Sequence, residues 1–392
     1  MSKRYIGGLI SAFNSLKVAN APTIGTPTGG NAKACVAFTA PSCVGGGAVT
    51  SYFAISCPGG KTGTGSSSPI TVNCLTNCTA YTFKVNANNA YGPSAFSAAS
   101  SSVTPVVSGT VGIFALGNIA GCGYSKVRNK YTFSGDTNGT ATAASAASCS
   151  GSAVGNATRG IFVLGQVCGT ASNKTNKYTY NGDTSVVATS ITTTALWGSA
   201  AGNSTRGIIA LGRAGGSVST CRNKYIYSGC VVSSATASSA AGNAGSAAGN
   251  ACVGIFALGC NSPTTTRNKY TYATCVNSTA TSSSIAGSNK GAAVGNSTVG
   301  IFALSYGQGV EKYTYSGDTN ASTTSLGSTG CYMSAAGNST VGIFSFGLLC
   351  GSGVTTRKKY KYSGDTVGSA AAASVGNYEG SAASNGTTGV NV

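Results

Sequence analysis

Gly112-Ile113-Phe114-Ala115-Leu116-Gly117 decides the architecture, because similar copies of this stretch return along the rest of the chain. The copies begin at Gly112, Gly160, Gly207, Gly254, Gly300 and Gly342, with a truncated copy at Gly389. Successive copies start 48, 47, 47, 46, 42 and 47 residues apart, which is the range expected for a small multi-stranded unit. Everything after about residue 107 is therefore predicted to be one array of repeats.

Each repeat is predicted to hold four strands. A small-residue strand such as Ser334-Ala335-Ala336 passes through a Gly-Asn turn into the apolar strand, and a variable loop leads to a strand such as Lys312-Tyr313-Thr314-Tyr315. A Ser-Gly-Asp turn and an Ala/Thr/Ser strand complete the unit. Because Ile113 and Phe114 face opposite ways, both faces of the apolar strand are predicted to be buried in a stack of sheets.

The two ends of the array indicate how it closes. The first repeat lacks a small-residue strand before Gly112, whereas residues 380–385 supply a spare one at the C-terminus. Pairing that strand with the first repeat would remove an unpaired sheet edge. We therefore predict an all-β protein with a six-bladed β-propeller over residues 107–392, closed by its C-terminal strand. A fibrous trimer of the same repeats is the alternative.

Composition restricts the class of partner. The 392 residues include 41% hydrophobic residues, 8% charged residues and 58 glycines, which is typical of short strands and turns. No run of about eighteen apolar residues occurs, so we expect no membrane insertion. The chain has 24 basic and 6 acidic residues, but the basic residues are spread through the repeats, unlike those of nucleic-acid-binding modules. We expect an acidic glycan or acidic protein surface, and no nucleic acid.

The chain offers little catalytic chemistry. Histidine is absent, which removes the usual general base and metal ligand. Glu311 and Glu379 show no local pairing with a second acid. The other four acids recur at one repeat position and are predicted to be turn residues: Asp136, Asp183, Asp318 and Asp365. We predict no enzyme activity, no cofactor and no metal site.

The cysteines and the Asn-x-Ser/Thr triplets are interpreted as structural residues. The 15 cysteines lack CxxC or metal-ligand spacing and are predicted to be mostly small buried or semi-buried residues. Two pairs remain candidates for disulfides, Cys43 with Cys57 and Cys74 with Cys78. Four triplets at the Gly-Asn turn of the repeat are predicted to form turns rather than glycosylation sites; they begin at Asn156, Asn203, Asn296 and Asn338.

Residues 1–17 are predicted to be a docking segment. Lys3 and Arg4 precede a short apolar stretch, and 19–21 (Ala-Asn-Ala) is similar to the cleavage site of a secretion signal. The apolar stretch is short and interrupted by glycines, which disfavours cleavage. Apolar residues at spacings of four, three and three instead predict a short helix that buries one face against a partner. The residues of that face are Ile6, Ile10, Phe13 and Leu16.

Residues 18–106 carry no copy of the repeat and are predicted to form a separate β-sandwich with about seven strands. Apolar residues alternate around 34–38, 52–54 and 81–87, with turns at 45–47, 58–60 and 88–89. The strand order resembles a fibronectin type III domain. Leu75, followed six residues later by Tyr81, is similar to the tyrosine corner of that family, and Phe38 stands where the family usually has a core Trp.

The repeat resembles kelch-type propellers, although Trp197, the single Trp, is out of register with them. The succession of docking segment, fibronectin-like spacer and propeller resembles bacteriophage virion proteins of the tail-fibre, baseplate or head-fibre kind. This resemblance implies a structural, host-attachment role in a virion. The N-terminus would bind other virion subunits, the propeller would bind a host cell-surface glycan or protein, and the chain would be a homo-oligomer in the particle. The alternative is a secreted or cell-surface bacterial adhesin or lectin that binds acidic glycans.

Two sets of residues are candidates for binding. Basic residues at the Lys-Tyr strands are predicted to lie near one face of the ring, as an anion-binding surface or as a solvated rim. They are Arg128, Lys130, Lys177, Arg222, Lys224, Arg267, Lys269, Arg357 and Lys359. Specificity is predicted to reside in the loops that vary between copies, at 118–127, 166–174, 213–221, 260–266, 305–310 and 348–356.

Overall fold

The computed structural model describes residues 16–30, 32–76, 79–105, 109–119, 123–259, 265–284, 291–304, 309–327, 330–349 and 351–386. In these ranges the chain forms strands and turns. No helix in the described ranges is long and apolar enough to cross a membrane. The chain divides into two compact units, Met1–Val107 and Ser108–Val392.

The first unit is built from two antiparallel sheets and a short strand pair. One sheet contains, in spatial order, Thr28–Gly30, Lys33–Val36 and Ile70–Val72. The other contains Thr62–Gly65, Ser51–Cys57, Thr82–Asn89 and Gly92–Pro93, and the short pair is Thr23–Ile24 with Phe38–Thr39. Apolar residues alternate along these strands and share one core, with Val36, Ala54 and Val85 fully buried.

The predicted tyrosine corner is confirmed. Tyr81 is buried, and its hydroxyl accepts a hydrogen bond from the backbone N–H of Thr76 at 3.0 Å. Leu75 is buried in the same core. Phe38 is also buried, and its ring centroid lies 4.6 Å from that of Tyr52. A hydroxyl bonded back to backbone in this way stabilises the crossover between the sheets.

The predicted turn at residues 88–89 is wrong, because Asn88 and Asn89 end the strand Thr82–Asn89. The Asn89 side chain is buried, and its Nδ2 donates to the carbonyls of Lys17 and Val44 at 3.0 and 2.8 Å. A buried amide whose hydrogen bonds are satisfied is tolerated in a strand. The backbone N–H of Lys17 also donates to Gly45 at 2.9 Å, so the first unit includes residue 17.

The remaining N-terminal predictions have mixed outcomes. Ile6, Ile10 and Phe13 lie outside the described residues, and the side chain of Leu16 is exposed. Ala19, from the possible cleavage site, is buried in the core of the first unit.

The cysteine pairs suggested by the sequence are not formed where the chain is described. Cys43, Cys57 and Cys74 have exposed free thiols. Six of the eleven described free cysteines are exposed, so the prediction that most cysteines are buried or semi-buried is wrong for the described residues. Cys78 lies outside the described residues. The proposed Cys43–Cys57 disulfide is therefore wrong.

The second unit contains six four-stranded antiparallel sheets, which we number sheet 1 to sheet 6 along the chain. Each sheet has the same spatial order: the small-residue strand, the apolar strand, the Lys-Tyr strand and the outer strand. Sheet 1 consists of Ser381–Ser384, Val111–Ala115, Arg128–Thr132 and Thr137–Ala141; sheet 2 of Ser152–Gly155, Arg159–Val163, Thr175–Thr179 and Thr184–Ala188; sheet 3 of Ser199–Gly202, Arg206–Ala210, Arg222–Ile226 and Val231–Ala235. Sheet 4 consists of Ser246–Gly249, Val253–Ala257, Arg267–Thr271 and Val276–Ala280; sheet 5 of Ala292–Gly295, Val299–Leu304, Gly309–Thr314 and Thr319–Ser322; sheet 6 of Ser334–Gly337, Val341–Ser345, Arg357–Lys361 and Thr366–Ala370.

The predicted order and burial of the four strands are confirmed. Ile113 and Phe114 are both fully buried, as expected for a strand covered on both faces. The small-residue strand of sheet 1 comes from the C-terminal part of the chain, with Ala382 opposite Phe114. This is the pairing that the count of strands predicts. The truncated copy at Gly389 lies outside the described residues.

Short strands extend four of the variable loops into hairpins. The hairpins are Asn118–Ile119 with Gly123–Tyr124, Gln166–Val167 with Thr170–Ala171, Arg213–Ala214 with Ser217–Val218, and Leu348–Leu349 with Ser352–Gly353. The first three also pair with a short strand that precedes a small-residue strand, namely Asn377–Tyr378, Ser148–Cys149 and Ala195–Leu196. The loops and the starts of the small-residue strands therefore share one end of the sheets.

The Asp turns lie at the opposite end and connect neighbouring sheets. Each Asp has a left-handed backbone, with φ between 48° and 50°, so the prediction of turn residues is confirmed. The Asp of one sheet pairs with the Lys of the preceding sheet. The pairs are Lys130–Asp183 at 3.5 Å, Lys269–Asp318 at 2.7 Å, Lys312–Asp365 and Lys359–Asp136.

Four arginines that were predicted to lie on a binding surface are buried instead. Arg128, Arg222, Arg267 and Arg357 are each at most 2% exposed. Each guanidinium lies over a Phe ring of the next sheet, with Cζ 4.3 to 4.6 Å from the centroids of Phe162, Phe256, Phe302 and Phe114 respectively. A planar guanidinium stacks on an aromatic ring and donates in its own plane, so it can be buried between two sheets.

Burial lowers the pKa of Arg128, Arg222 and Arg357 to about 10, which leaves all three charged at neutral pH. Their nitrogens donate mainly to Asn side chains of the next sheet, such as Arg128 to Asn176 at 3.3 Å. These hydrogen bonds compensate the charges for lost hydration. The prediction of a binding surface is wrong for these residues because sequence reasoning assumed that a cation beside a loop is solvated.

Glu311 is a buried partner for one of these arginines. It replaces the Asn of sheets 1 to 4, and its Oε2 lies 2.6 Å from the Arg267 guanidinium, with both side chains fully buried. Burial raises the pKa of the Glu311 carboxyl, but hydrogen bonds from Ser283 and Ser284 and the charge of Arg267 lower it overall. Glu311 is thus part of the packing between sheets 4 and 5.

The Asn-x-Ser/Thr triplets are confirmed as turns. Asn156 Oδ1 accepts from the backbone N–H groups of Thr158 and Arg159 at 3.0 Å, and its Nδ2 donates to Ser204 of sheet 3's turn at 3.0 Å. Asn338 repeats the arrangement, with Nδ2 donating to Gly109 at 2.9 Å. These amide nitrogens link successive sheets.

Candidate binding site

One position of the repeat holds side chains with little in common. It lies two residues before each small-residue strand, and its backbone is left-handed wherever it is described. The residues are Ser150 (φ 56°), Trp197 (φ 53°), Ala244 (φ 54°), Tyr332 (φ 57°) and Glu379 (φ 57°). The equivalent residue of the fifth repeat, Lys290, lies outside the described residues. Left-handed backbone costs a residue with a Cβ roughly 1–2 kcal/mol, and such strain often occurs at functional sites.

Backbone hydrogen bonds join these residues from sheet to sheet. Ser150 N–H donates to the carbonyl of Glu379 at 3.0 Å, Trp197 N–H to Ser150 at 2.9 Å, and Ala244 N–H to Trp197 at 2.8 Å. The chain of bonds runs through sheets 1, 2, 3 and 4. Because each N–H is bonded to the neighbouring position, the left-handed conformation is held by the surrounding structure.

The last Gly of the repeated apolar stretch makes room for this position. Gly117, Gly165, Gly212 and Gly259 have φ between 66° and 69°. A Cβ on Gly212 would lie 2.3 Å from the carbonyl oxygen of Leu196 and 2.5 Å from that of Trp197. The glycine therefore allows the apolar strand to contact the backbone of the variable residue closely.

These residues line a small, shallow pocket with a volume of about 20 Å³, which we call the Trp197–Glu379 pocket. Trp197, Tyr332 and Glu379 are half-buried, and Ser150 and Ala244 are buried. The wall is completed by Gly151, Gly291, Met333 and Gly380. The pocket thus combines two aromatic rings, a thioether, a hydroxyl and a carboxylate.

Residues of the neighbouring hairpins hold the walls in place. Glu379 Oε2 accepts hydrogen bonds from Ser150 Oγ at 2.8 Å and from Asn118 Nδ2 at 3.1 Å. Arg213 Cζ lies 5.8 Å from the ring centroid of Trp197. Asn118 and Arg213 belong to the variable loops at 118–127 and 213–221, so these loops support the pocket. A carboxylate fixed by two donors is a preorganised hydrogen-bond acceptor.

The chemistry of the pocket is suited to binding. Cys149 lies beside it, but burial raises the pKa of its thiol to about 12, so the thiol is neutral at physiological pH. Within the described residues, no group of three His, Cys, Asp or Glu side chains could hold a metal ion. The polar side chains of the pocket wall are the Ser150 hydroxyl and the Glu379 carboxylate.

The predicted basic residues do not line this pocket. Lys130, Lys269 and Lys359 are engaged in ion pairs with Asp residues of the next sheet. Lys177 and Lys224 are half-buried, and the turn of the next sheet carries Cys230 or Cys275 at the position of the Asp.

Sequence reasoning missed Trp197, Tyr332 and Glu379 as site residues. The signal that could have found them is the alignment of the repeats at the position before Gly151, Gly198, Gly245, Gly291, Met333 and Gly380. That column varies from Ser to Trp to Glu, whereas the strand that follows it stays Ser/Ala-rich.

Comparison with known proteins adds little to this description. No family model matches the chain, and no curated protein matches it. Among solved structures, one match is the crystal structure of domains A168-A170 from titin, at 24% sequence identity and a TM-score of 0.20. That match covers 22% of this chain and 32% of the titin chain.

Proposed function

We propose that this chain is a non-enzymatic bacteriophage virion protein, of the tail-fibre, baseplate or head-fibre kind, that attaches the particle to a host surface. In this proposal the six sheets are the blades of a kelch-like β-propeller, and the first unit is a fibronectin type III-like spacer. The segment before residue 17 docks on other virion subunits, and the protein is a homo-oligomer in the particle.

The observation that carries the proposal is that contacts between consecutive sheets recur between sheet 6 and sheet 1. Asn338 donates to Gly109, Lys359 pairs with Asp136, and Arg357 lies over Phe114. In the same way Asn296 of sheet 5 donates to Ser339 of sheet 6. A ring of sheets with equivalent contacts has no exposed end, and it offers a rigid platform for the loops at one end.

The distribution of variation supports a binding role for that platform. Residues that pack between the sheets repeat from copy to copy, whereas the pocket position and the hairpins differ between copies. A rigid scaffold with variable loops at one end is a common arrangement for recognition. Attachment through such loops would be a binding function and would need no catalytic residue.

The second candidate is a secreted or cell-surface bacterial adhesin or lectin that binds acidic glycans. Lys177 and Lys224 favour it, because no carboxylate lies within ion-pair distance of either lysine among the described residues. Binding through two such lysines would weaken steeply as salt rises to about 0.5 M.

Immunogold electron microscopy tests the proposal. Antibodies raised against the purified chain would be applied to cultures that produce it, with pre-immune serum as the control. The proposal predicts gold on fibres, baseplates or head projections of phage particles. Gold confined to the envelope of cells that carry no particles would reject it in favour of the adhesin.

A further inference from the structure

We propose that Cys230 and Cys275 are sites of oxidation by hydrogen peroxide, and that their sulfinates take the place of the Asp carboxylate found in the other Asp turns. Each cysteine lies between the Lys-Tyr strand and the outer strand of its sheet, at the position that carries Asp in sheets 1, 2, 5 and 6. The inference goes beyond the proposed attachment function and does not depend on it.

The Asp turns show which groups surround this position. Asp318 Oδ1 accepts hydrogen bonds from the Tyr313 hydroxyl and from the backbone N–H of Thr281, the latter at 2.9 Å. Its Oδ2 lies 2.7 Å from Lys269 Nζ. Lys269 and Thr281 come from the part of the chain that forms sheet 4, whereas Tyr313 belongs to sheet 5. Donors from two consecutive sheets therefore converge on one anion.

The two Cys turns keep the backbone geometry of the Asp turns. The φ of Cys230 is 51° and that of Cys275 is 56°, close to the 48° to 50° of the Asp residues. Thr236 Oγ1 donates to the backbone carbonyl of Cys275 at 2.5 Å, as Thr281 Oγ1 does to that of Asp318. An anion at the cysteine position would therefore lie where the Asp carboxylates lie.

The lysines that would face the two cysteines lack an anionic partner. Lys177 and Lys224 occupy, in sheets 2 and 3, the positions of Lys130 and Lys269. In the Asp-bearing sheets this lysine pairs with the turn of the next sheet. Within the described ranges, neither Lys177 nor Lys224 forms an ion pair.

Two buried tyrosine hydroxyls also lack an acceptor. Tyr225 and Tyr270 are the equivalents of Tyr313 and are 0% exposed. Among the residues that the structure describes, nothing forms a hydrogen bond with either hydroxyl oxygen. Burial raises the pKa of Tyr225 and of Tyr270, and the adjacent Cys230 or Cys275 raises it further. Because a buried hydroxyl without a partner is unfavourable, the two tyrosines indicate a missing acceptor beside each thiol.

An arginine accompanies each cysteine. The apolar strands of sheets 2 and 3 begin with Arg159 and Arg206, whereas those of the other four sheets begin with Val. Arg159 Nη1 lies 3.8 Å from Cys230 Sγ, and Arg206 Nη1 lies 3.3 Å from Cys275 Sγ. Both thiols are half-buried. Reactive cysteines lie in electropositive, partly exposed surroundings of this kind.

Oxidation supplies the missing anion. The sulfur attacks one oxygen of hydrogen peroxide, the O–O bond breaks and hydroxide leaves, which gives a sulfenic acid. A second peroxide adds a second oxygen, so that one thiol and two peroxides give one sulfinate, one proton and two waters. The sulfur loses four electrons, and each peroxide gains two. A sulfinate has two oxygens and one negative charge on the atom attached to Cβ, as an Asp carboxylate has, and it can accept hydrogen bonds from the lysine and the tyrosine.

Peptide mass spectrometry of the full chain after treatment with graded hydrogen peroxide tests the modification. The reference is Cys168, an exposed thiol with a φ of 49° in the hairpin of sheet 2. We expect Cys230 and Cys275 each to gain two oxygen atoms at doses no higher than those that oxidise Cys168. They should resist a third oxygen, because the Asp turns hold only two.

Urea unfolding of the same samples measures the consequence for the fold. Peroxide should lower the unfolding equilibrium constant of the unmodified chain roughly fivefold for each sulfinate, because an ion pair and a buried hydrogen bond form. A chain with both Cys230→Ser and Cys275→Ser is the matched control for oxidation elsewhere and should show no such gain. Ser150 shows that serine adopts a φ of 56° in this unit. Lys177→Met should reduce the gain at Cys230 and leave that at Cys275.

Cys230→Asp tests the geometry without any oxidation. It should lower the unfolding equilibrium constant of the untreated chain roughly fivefold, as the sulfinate does. An unchanged or larger constant would mean that this turn does not hold an anion. The inference would also be overturned by unmodified Cys230 and Cys275 at doses that oxidise Cys168, by sulfinates that bring no gain in stability, or by an equal gain in the double Ser variant.

Discussion

The guanidinium of Arg357 lies 4.3 Å from the centroid of the Phe114 ring and donates to Asn138 at 2.7 Å and to Asn129 at 3.3 Å. These three partners belong to sheet 1, whereas Arg357 belongs to sheet 6. The side chain is 2% exposed, so its hydrogen bonds replace those it would make with water. Its removal would take the Arg357 hydrogen bond away from the half-buried Asn138 side-chain oxygen and leave a space between two sheets.

We therefore expect Arg357→Ala to lower the free energy of unfolding by roughly 3 kcal/mol. Urea unfolding of the purified chain, followed by circular dichroism, measures the change. Lys361→Ala is the matched control, because Lys361 is an exposed cation on the same strand. Equal stabilities of the two variants would mean that Arg357 is not buried between sheets 6 and 1.

The Asp turns make stability depend on acid pH. For Asp318, burial raises the pKa of the carboxyl, but hydrogen bonds from Lys269, Thr281 and Tyr313 lower it overall, well below its usual value. A carboxyl whose folded pKa is lowered stabilises the folded state above its unfolded pKa of about 3.9. That stabilisation is lost as pH falls through the lowered pKa. The free energy of unfolding should therefore decrease below about pH 4.

Asp318→Asn should cost about 1 kcal/mol at neutral pH and flatten this acid dependence. Asn tolerates the left-handed backbone of the turn, so the charge is the main change. Urea unfolding at about pH 7 and about pH 3 measures the slope. Cys230→Asn, at the equivalent turn of sheet 3, is the control and should keep the slope of the unmodified chain. An unchanged slope in Asp318→Asn would show that its ion pair does not form.

The location of the charged side chains was predicted less well from the sequence than any other residue property. The sequence shows that Arg128, Arg222, Arg267 and Arg357 recur beside a Lys-Tyr strand, but not that a Phe of the next sheet lies against each one. That contact depends on how two sheets pack. The sequence of a single strand therefore does not predict the Arg–Phe contact.

At the scale of the element, the apolar strand and the left-handed residue before the small-residue strand pack against each other. The strand ends in a glycine whose backbone contacts the residue before the small-residue strand. Gly212 illustrates this, since an added Cβ would overlap the carbonyls of Leu196 and Trp197. The repeat could be recognised from sequence because this strand is needed in every sheet. The contact of this strand with the pocket residue could not be recognised, because the apolar strand and the residue before the small-residue strand come together only in the folded sheet.

We expect Gly212→Ala to be destabilising and to shift the emission of Trp197. The φ of 67° strains any residue with a Cβ by roughly 1–2 kcal/mol, and the contacts at 2.3 and 2.5 Å add a steric cost. Gly216→Ala is the control, since its φ is 89° but nothing lies within 4 Å of an added Cβ. Unfolding free energy and fluorescence would be measured for both. Similar stability and similar emission in the two variants would contradict the close contact.

At the scale of the whole molecule, the repeat count and the spare C-terminal strand were sufficient to predict six sheets and the partner of Val111–Ala115. The left-handed position was not predicted, because backbone conformation at a non-glycine residue leaves no mark in composition or spacing. The position of the pocket could be predicted only in part. The variable loops do supply Asn118 and Arg213, but the pocket side chains themselves come from outside them.

Closure of the six sheets into one ring is the central claim, and electron microscopy of the purified full chain tests it most directly. We expect class averages with six equal sectors around a central depression, because the contacts of sheet 6 with sheet 1 repeat those between the other sheets. An open arc of six sectors, or an elongated fibre without sectors, would contradict the account.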